Sequence, residues 1–342
     1  MLLSLLLAIL ILTLYGSRLA TGGFHADYLD RGKTDSIKGI FILLIVLAHS
    51  MQYVKGCCYS PVRFGDTAFK WFLHELSQLV VVMFLFYSGY GVGESFKKKG
   101  AAYVKKIPRH RILATLVNFD IAVGVFIIIN LLLGVPITLR QSLLSFTGWE
   151  DVGNSNWYIF VILVCYTLTY MVLSVARTKL ARVTLLFASC LPVMLVLYYT
   201  RGSWWYDTML CYPAGFAFSM YRRQAESLFK KRYWIALCAC VVAFFVLRAI
   251  QPDNYRLAYN LMSISFALIV VLTTMKLGID NPLLRWAGSN LFPIYIYMRV
   301  PMLIIEQTHP ELIAAQPFLF ILISLTVTIV IARCYRYWQV KM

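Results

Sequence analysis

Long apolar stretches separated by short polar segments occupy almost the whole chain. A membrane-spanning helix needs about 20 mainly apolar residues, and about 15 suffice at the edge of a bundle or in a thinned bilayer. The pattern therefore predicts an all-α fold, a polytopic integral membrane helix bundle of about 10–11 transmembrane helices. The candidate spans are Leu2–Tyr15, Ile37–Val54, Trp71–Val92, Ile112–Leu133, Trp157–Val175, Val183–Tyr199, Trp205–Tyr221, Tyr233–Ile250, Leu257–Met275, Leu291–Ile305 and Phe318–Ile331.

Basic residues between the apolar stretches predict the orientation of the bundle. Short cytoplasmic loops are enriched in Lys and Arg, and the densest basic run lies between the third and fourth stretches. Alternate loops belong to the same side, whereas the intervening loops carry Glu150, Asp151, Asp253, Glu306 and Glu311. We therefore expect Met1 outside and the C-terminus in the cytoplasm. The basic residues assigned to the cytoplasm are Lys97, Lys98, Lys99, Lys105, Lys106, Arg109, Arg111, Arg177, Lys179, Arg182, Arg222, Arg223, Lys230, Lys231, Arg232, Lys276, Arg285, Arg333, Arg336 and Lys341.

Composition excludes a soluble globular protein. Hydrophobic residues make up 60% and charged residues 14% of the 342 positions, and the mean hydropathy is +0.72. The net charge of +17 would suggest nucleic-acid binding in a soluble chain. Here the basic residues lie in short runs between spans, so we expect membrane lipids and no nucleic acid as partners. The eight cysteines show no metal or disulfide spacing, and no metal site is predicted.

The chain is expected to form a single transmembrane domain over residues 1–342. Its first apolar stretch has no basic residue before it, and its first Arg is Arg18, so we interpret residues 1–16 as an additional uncleaved helix and not as a signal peptide. No loop is long enough to hold a soluble domain. Any chemistry is therefore expected within the membrane or at its faces.

The second apolar stretch carries the most informative polar residues. An ionisable group costs roughly 2.5–3.5 kcal/mol at the centre of a spanning helix, so such groups are functional candidates. At about 100° per residue, Asp35, Lys38 and His49 fall on nearly one helix face, with His49 about 16 Å from Lys38 along the axis. Singly, His49 could be a hydrogen-bonded packing residue and Lys38 a snorkelling end charge. Their shared face favours a polar passage.

The same stretch resembles the membrane-bound acyltransferase 3 family, which O-acylates carbohydrates. The pattern Asp35-x-x-Lys38-Gly39, an apolar run and then His49 resembles the opening motif of that family, and Arg31 matches a basic residue that usually precedes the Asp. The family usually has Arg where this chain has Lys38. Because Arg and Lys bind phosphate differently, the substitution bears on the role of this position.

Further segments resemble the same family in the same order, over roughly residues 31–301. The family often has a second His late in the chain, but this sequence has Met298 there. Pro, which usually follows the basic segment, is also missing. The matching segments are Met83–Tyr90, Tyr103–Ile112, Asn156–Ile159, Tyr212–Phe216 and Leu284–Leu291.

The resemblance implies transfer of an acyl group, expected to be acetyl, from cytoplasmic acyl-CoA to a hydroxyl of a cell-surface or lipid-linked glycan. It also implies a bacterial cytoplasmic membrane, with acetyl-CoA as the donor and a glycan as the acceptor, in a chain that could form a homo-oligomer. The candidate catalytic residues are His49 as general base, Asp35 and Glu75; the donor would contact Arg31, Lys38, Ser88, Tyr90, Arg109 and Arg111; the acceptor would contact His74, Asn156 and Trp157.

Several of these residues have simpler interpretations. Glu75 could orient His49 or bind sugar hydroxyls, or be an interfacial charge; Gly89 could admit a ligand or pack two helices. Asn156 and Trp157 could face the acceptor or anchor the helix at the interface. No role beyond pairing is predicted for Arg248, Arg256 or Arg299. A transporter or flippase, with the polar face lining its path, is the alternative function.

Overall fold

The computed structural model describes residues 1–56, 64–251 and 256–342, so Cys57, Cys58 and Asp253 lie outside the described residues. Most described residues are helical and only four lie in strands, which confirms the all-α prediction. The helices are α1 Leu3–Leu14, α2 Arg31–Gly56, α3 Phe64–Leu76, α4 Leu79–Lys99, α5 Ala101–Val104, α6 Ala114–Leu133, α7 Leu139–Ser145, α8 Trp157–Val175, α9 Lys179–Thr200, α10 Cys211–Met220, α11 Arg222–Lys231, α12 Tyr233–Ala249, α13 Arg256–Lys276, α14 Pro282–Ser289, α15 Leu291–Tyr297, α16 Arg299–Thr308, α17 Pro310–Ala315 and α18 Pro317–Cys334.

Three shorter helical pieces and one strand pair complete the described secondary structure. A π-helix, Pro108–Leu113, leads directly into α6, and 3-10 turns cover Ser203–Trp205 and Tyr335–Tyr337. Strands β1 (Arg18–Leu19) and β2 (Leu277–Gly278) pair antiparallel, with Arg18 opposite Gly278. This pair joins the segment after α1 to the segment after α13.

Seven helices in the described part of the chain are long and apolar enough to span a membrane, which confirms a multi-pass protein. They are Arg31–Gly56, Gly65–Lys99, Pro108–Leu133, Trp157–Val175, Lys179–Thr200, Leu257–Lys276 and Pro317–Tyr337. The number rises to eight if the bent pair Arg222–Lys231 and Tyr233–Ala249 counts as one span, and it stays below the predicted 10–11 because the remaining apolar stretches form short or interrupted helices. Helix α10 has ten residues, which rise only about 15 Å.

The predicted span Leu291–Ile305 is interrupted. Helix α15 ends at Tyr297 and α16 begins at Arg299. Pro301 has no N–H to donate to the carbonyl of Tyr297, four residues earlier, and its ring crowds that carbonyl. The break at Met298 therefore follows from the proline.

A sharp bend separates α11 from α12. The two helices meet at 102°, so the basic helix α11 does not continue the line of the apolar helix α12. An amphipathic helix at about a right angle to a span is suited to lie along a membrane face.

Glycines let α2 and α4 contact their neighbours through the backbone. A Cβ added to Gly39 of α2 would overlap the carbonyl oxygen of Leu284 in α14, and one added to Gly89 of α4 would overlap that of Tyr212 in α10. Of the two interpretations of Gly89, helix packing is therefore the one that the structure supports. These contacts fix α2 and α4 near the centre of the bundle.

Candidate active site

Helix α2 carries polar groups at both ends of the bundle. At one end, Nζ of Lys38 lies 2.6 Å from Oδ1 of the buried Asp35, and Nε of Arg31 lies 3.7 Å from Oδ2 of the same carboxylate. His49 is eleven residues further on, about 16 Å along the axis. We call these the Lys38 end and the His49 end. Asp35 thus pairs with Lys38 and is too distant to contact His49, so a direct catalytic role beside the imidazole is not supported.

A cavity of about 430 Å³ lies beside His49. Such a volume is typical of small-molecule sites. Its walls come from α2, the junction of α3 and α4, the segment before α8, and α15 and α16, but Asp35 and Lys38 are not part of its lining. We call it the His49 cavity; it is lined by Ile45, Ala48, His49, Gln52, Ser77, Gln78, Val80, Val81, Asp151, Asn154, Ser155, Asn156, Trp157, Trp204, Tyr295 and Arg299.

Arg299 binds His49 within this cavity. Its Nη2 lies 2.9 Å and its Nε 3.3 Å from Nδ1 of the imidazole, and it also donates to Oε1 of Gln52. A guanidinium donates hydrogen bonds but cannot accept them, so Nδ1 must offer its lone pair. In a neutral imidazole the proton is then on Nε2. Arg299 therefore determines which ring nitrogen of His49 carries the proton.

Buried polar groups line the His49 cavity beside the imidazole. Oγ of Ser155 interacts with the hydroxyl of Tyr295, whereas Nδ2 of Asn154 has no hydrogen-bond partner among the described residues. Buried polar groups in proteins are nearly always satisfied, so the unpaired amide indicates that this region receives water or a polar ligand. The cavity is therefore suited to a ligand with hydroxyl groups.

Of the three predicted acceptor residues, two line this cavity. Trp157 and Asn156 both do, and Asn156 also donates to the carbonyl of Gly148 at 2.9 Å. His74 is exposed and is not part of the lining.

Glu75, predicted to act beside His49, instead forms an ion pair with Arg248 of α12. Its carboxylate is therefore engaged away from the imidazole, and the predicted contact with His49 is absent from the described structure.

The six predicted donor-binding residues are not gathered into one site. Arg31 and Arg109 are exposed, and Lys38 is paired with Asp35. Arg111 packs over the ring of Tyr166, with 5.8 Å from Cζ to the ring centroid. Of the other two, Ser88 hydrogen-bonds the Tyr158 side chain, and Tyr90 accepts a hydrogen bond of 2.9 Å from Nη1 of Arg222.

Arg222, the hydrogen-bond partner of Tyr90, lines a second cavity, of about 630 Å³, at the Lys38 end. Four cations and two carboxylates surround it, from α4, α9 and the α10–α11 region. We call it the basic cavity; it is lined by Glu94, Lys97, Lys179, Ser219, Met220, Arg222, Arg223, Gln224 and Glu226. Sequence alone did not bring these residues together because they come from separate apolar stretches, each with its own basic flank.

Ion pairs order one wall of the basic cavity. Lys97 pairs with Glu94 at 2.6 Å and donates to the carbonyl of Ser219, while Arg222 pairs with Glu226 at 2.6 Å. Burial raises the pKa of Glu226, but hydrogen bonds from Arg222 and Tyr28 outweigh it and leave that pKa below its usual value. Burial and the neighbouring Glu226 raise the pKa of Tyr28. Glu226 is thus an ionised hydrogen-bond acceptor that holds Arg222 in place.

The fold and cavities define an integral membrane protein with polar sites at both ends of one helix bundle. The family model for the acyltransferase domain of the acyltransferase 3 family matches residues 32–334, nearly the whole chain. The chain therefore belongs to the membrane acyltransferase 3 family. Comparison with curated proteins and with solved structures found no match.

Proposed function

We propose that the protein transfers an acetyl group from cytoplasmic acetyl-CoA to a hydroxyl of a glycan on the other side of the membrane. The observation that carries this proposal is the position of two cavities at opposite ends of α4. Val80 lines the His49 cavity and Lys97 the basic cavity, seventeen residues apart, or about 25 Å along the helix. A long, narrow donor is suited to bridge two such sites within a family of acyltransferases.

In this proposal the nucleotide part of the donor occupies the basic cavity. Its phosphates are anionic, and Lys179, Arg222 and Arg223 offer charge-assisted hydrogen bonds. The same end of the bundle carries the basic loops that predict the cytoplasmic face. The basic cavity replaces the predicted set of Arg31, Lys38, Ser88, Arg109 and Arg111 as the phosphate site, and Tyr90 contributes by holding Arg222.

The glycan hydroxyl enters the His49 cavity from the opposite face. Entry of the acceptor moves Arg299 away from Nδ1 of His49, and that lone pair then takes the proton as the hydroxyl oxygen attacks the thioester carbonyl. Arg299 donates to the oxyanion that forms. Collapse breaks the carbon–sulfur bond, and the imidazolium returns the proton to the sulfur. The products are the O-acetylated glycan and free CoA.

The test is release of free thiol from acetyl-CoA by the purified protein in detergent, with and without envelope glycans. We expect glycan-dependent release in the wild type, and a loss of about 100-fold or more in His49→Ala and His49→Gln. His74→Ala is the matched control, because His74 is an exposed histidine outside the cavity. Its activity should equal that of the wild type.

A folded wild-type protein that releases no thiol with any glycan would contradict the proposal. Movement of a labelled glycan across reconstituted vesicles, dependent on His49, would then favour a transporter or flippase, with the His49 cavity as part of its path. If His49→Gln were as active as the wild type, the protein would still be an acyltransferase, but His49 would not be its general base.

A further inference from the structure

A third cavity, of about 390 Å³, adjoins the His49 cavity. The two cavities share three lining residues, Asp151, Asn156 and Trp204. The two cavities are therefore direct neighbours. We call the third cavity the aromatic cavity; it is lined by Trp149, Asp151, Asn156, Tyr199, Thr200, Arg201, Gly202, Trp204 and Trp205.

The inner aromatic wall is held rigidly. Cζ of Arg201 lies 4.0 Å from the ring centroid of Trp149 and 5.0 Å from that of Trp205. Nη2 of Arg201 pairs with Oε1 of Glu150 at 3.2 Å. Cation–π contacts of this kind are worth about 0.5–2 kcal/mol each and strengthen as water is excluded. The two indoles thus have a fixed orientation around the guanidinium.

The outer aromatic wall is open. Tyr199 is 77% exposed and Trp204 48% exposed. The ring of Trp204 lies so close to Gly202 that a Cβ there would overlap it, so glycine is what allows the ring to rest against the backbone. Large exposed aromatic rings at the mouth of a cavity offer flat apolar faces to a ligand.

The polar groups of the aromatic cavity suit a neutral ligand. The charge of Arg201 is already balanced by Glu150, and Asp151 adds a carboxylate, so the cavity offers no net positive charge to an anion. A carboxylate from Asp151, an amide from Asn156 and flat aromatic rings together match the hydroxyl groups and apolar faces of a sugar ring.

We propose that the aromatic cavity binds the sugar unit next to the one that is acylated. The acceptor is then a neutral oligosaccharide or polysaccharide of at least two units, one in the His49 cavity and the other in the aromatic cavity. This inference rests on the proposed function, because it takes the His49 cavity as the site of acyl transfer. It adds a specificity-determining subsite for the acceptor.

The test compares neutral acceptors of increasing length with acetyl-CoA as donor. The probes are glucose with cellobiose, galactose with lactose, and N-acetylglucosamine with its β-1,4-linked disaccharide. For the accepted sugar type, we expect kcat/KM to rise about tenfold or more from monosaccharide to disaccharide. A disaccharide with a uronic acid as the second unit should lose that gain.

The Tyr199→Ala variant distinguishes an effect on sugar binding in this subsite from an effect on folding. Tyr199 lines only the aromatic cavity of the two, and Tyr15 is a similarly exposed tyrosine outside both linings, so Tyr15→Ala is the matched control. We expect Tyr199→Ala to raise the KM of the disaccharide about tenfold, with the monosaccharide unchanged. Tyr15→Ala should change neither.

Binding without donor distinguishes the failure of this inference from the failure of the proposed function. Disaccharide binding is measured by the fluorescence of the cavity tryptophans in wild type and in Tyr199→Ala. Acetyl transfer with no dependence on acceptor length would overturn the subsite and leave the acyltransferase. Tyr199-dependent disaccharide binding without transfer would keep the subsite and reject the reaction. Neither binding nor transfer with any probe would overturn both.

Discussion

Nη2 of Arg299 lies 2.9 Å from Nδ1 of His49, although the two residues are 250 positions apart in the chain. The sequence marked both as ionisable residues in apolar stretches and gave Arg299 no role beyond pairing. Their contact joins α2 to α16 in the wall of the His49 cavity and gives the imidazole a defined proton position. Arg299 is therefore the residue whose replacement tests the site most directly.

Replacing Arg299 should impair the reaction more than the fold. We expect Arg299→Lys to lower kcat about 100-fold, because a lysine lacks the paired N–H groups that contact Nδ1 and later the oxyanion. Thiol release from acetyl-CoA measures the loss. The control is Arg248→Lys, since Arg248 pairs with Glu75 outside the cavity. If Arg299→Lys were faster than wild type, Arg299 would be an inhibitor of His49 and not part of its reaction.

Charge in the basic cavity should govern affinity for the donor. We expect Arg223→Gln to raise the KM for acetyl-CoA about fivefold, with kcat nearly unchanged and a smaller effect at high salt. Arg232→Gln, at the other end of the same basic segment and outside the cavity, is the control. Acetyl-pantetheine lacks the nucleotide phosphates, so Arg223→Gln should have no effect with this donor. An equal effect with both donors would exclude a phosphate contact.

Two glycines of α4 should differ sharply on replacement. A Cβ on Gly89 would overlap the carbonyl oxygen of Tyr212, whereas one on Gly91 would have no heavy atom within 4 Å. Overpacking costs about 1–3 kcal/mol, so Gly89→Ala should lower the Tm in detergent by several degrees. Gly91→Ala should leave the Tm unchanged or raise it, because Ala favours helix by about 1 kcal/mol over Gly. Equal effects would contradict the close packing of α4 on α10.

The ion pairs of Glu226 should make stability depend on pH. The pKa of Glu226 is lowered in the folded protein, so its contribution is present above the pKa of the unfolded chain and is lost as pH falls through the folded value. We expect Glu226→Gln to lower the Tm near neutral pH and to reduce its decline in acid. The control is Asp30→Asn, an exposed carboxylate at the same end of the bundle. If the Tm of Glu226→Gln and that of the wild type fell in parallel as pH decreased, Glu226 would not be the cause of the pH-dependent stability.

The sequence predicted the elements of this protein better than their contacts. The long apolar stretches of the sequence predicted α2, α4, α6, α8, α9, α13 and α18, because each of these helices is long and apolar enough to span a membrane. The sequence-based count of full spans was too high for two reasons. A proline interrupts one predicted span, at Pro301, and another predicted span forms a helix of only ten residues, α10. Those ends depend on packing against neighbours that hydropathy does not encode.

The candidate site was predicted in part. His49, Asn156 and Trp157 do line one cavity, since residues on a helix face or at a helix start have positions that spacing can anticipate. For Glu75 the sequence left open an orienting role beside His49, sugar binding and an interfacial charge. The sequence does not specify the direction of a side chain around its helix, and Glu75 pairs with Arg248. The basic cavity was missed for a related reason, because its walls come from helices far apart in sequence.

The close backbone contact of Gly39 with Leu284 has a consequence for motion. Rotation or sliding of α2 would force two main chains together, so we expect α2 to be the less mobile of the two helices that meet at His49. Arg299 instead begins α16, directly after the break at Met298. In the proposed reaction we therefore expect the displacement that frees Nδ1 to occur in α16, with Met298 as its pivot.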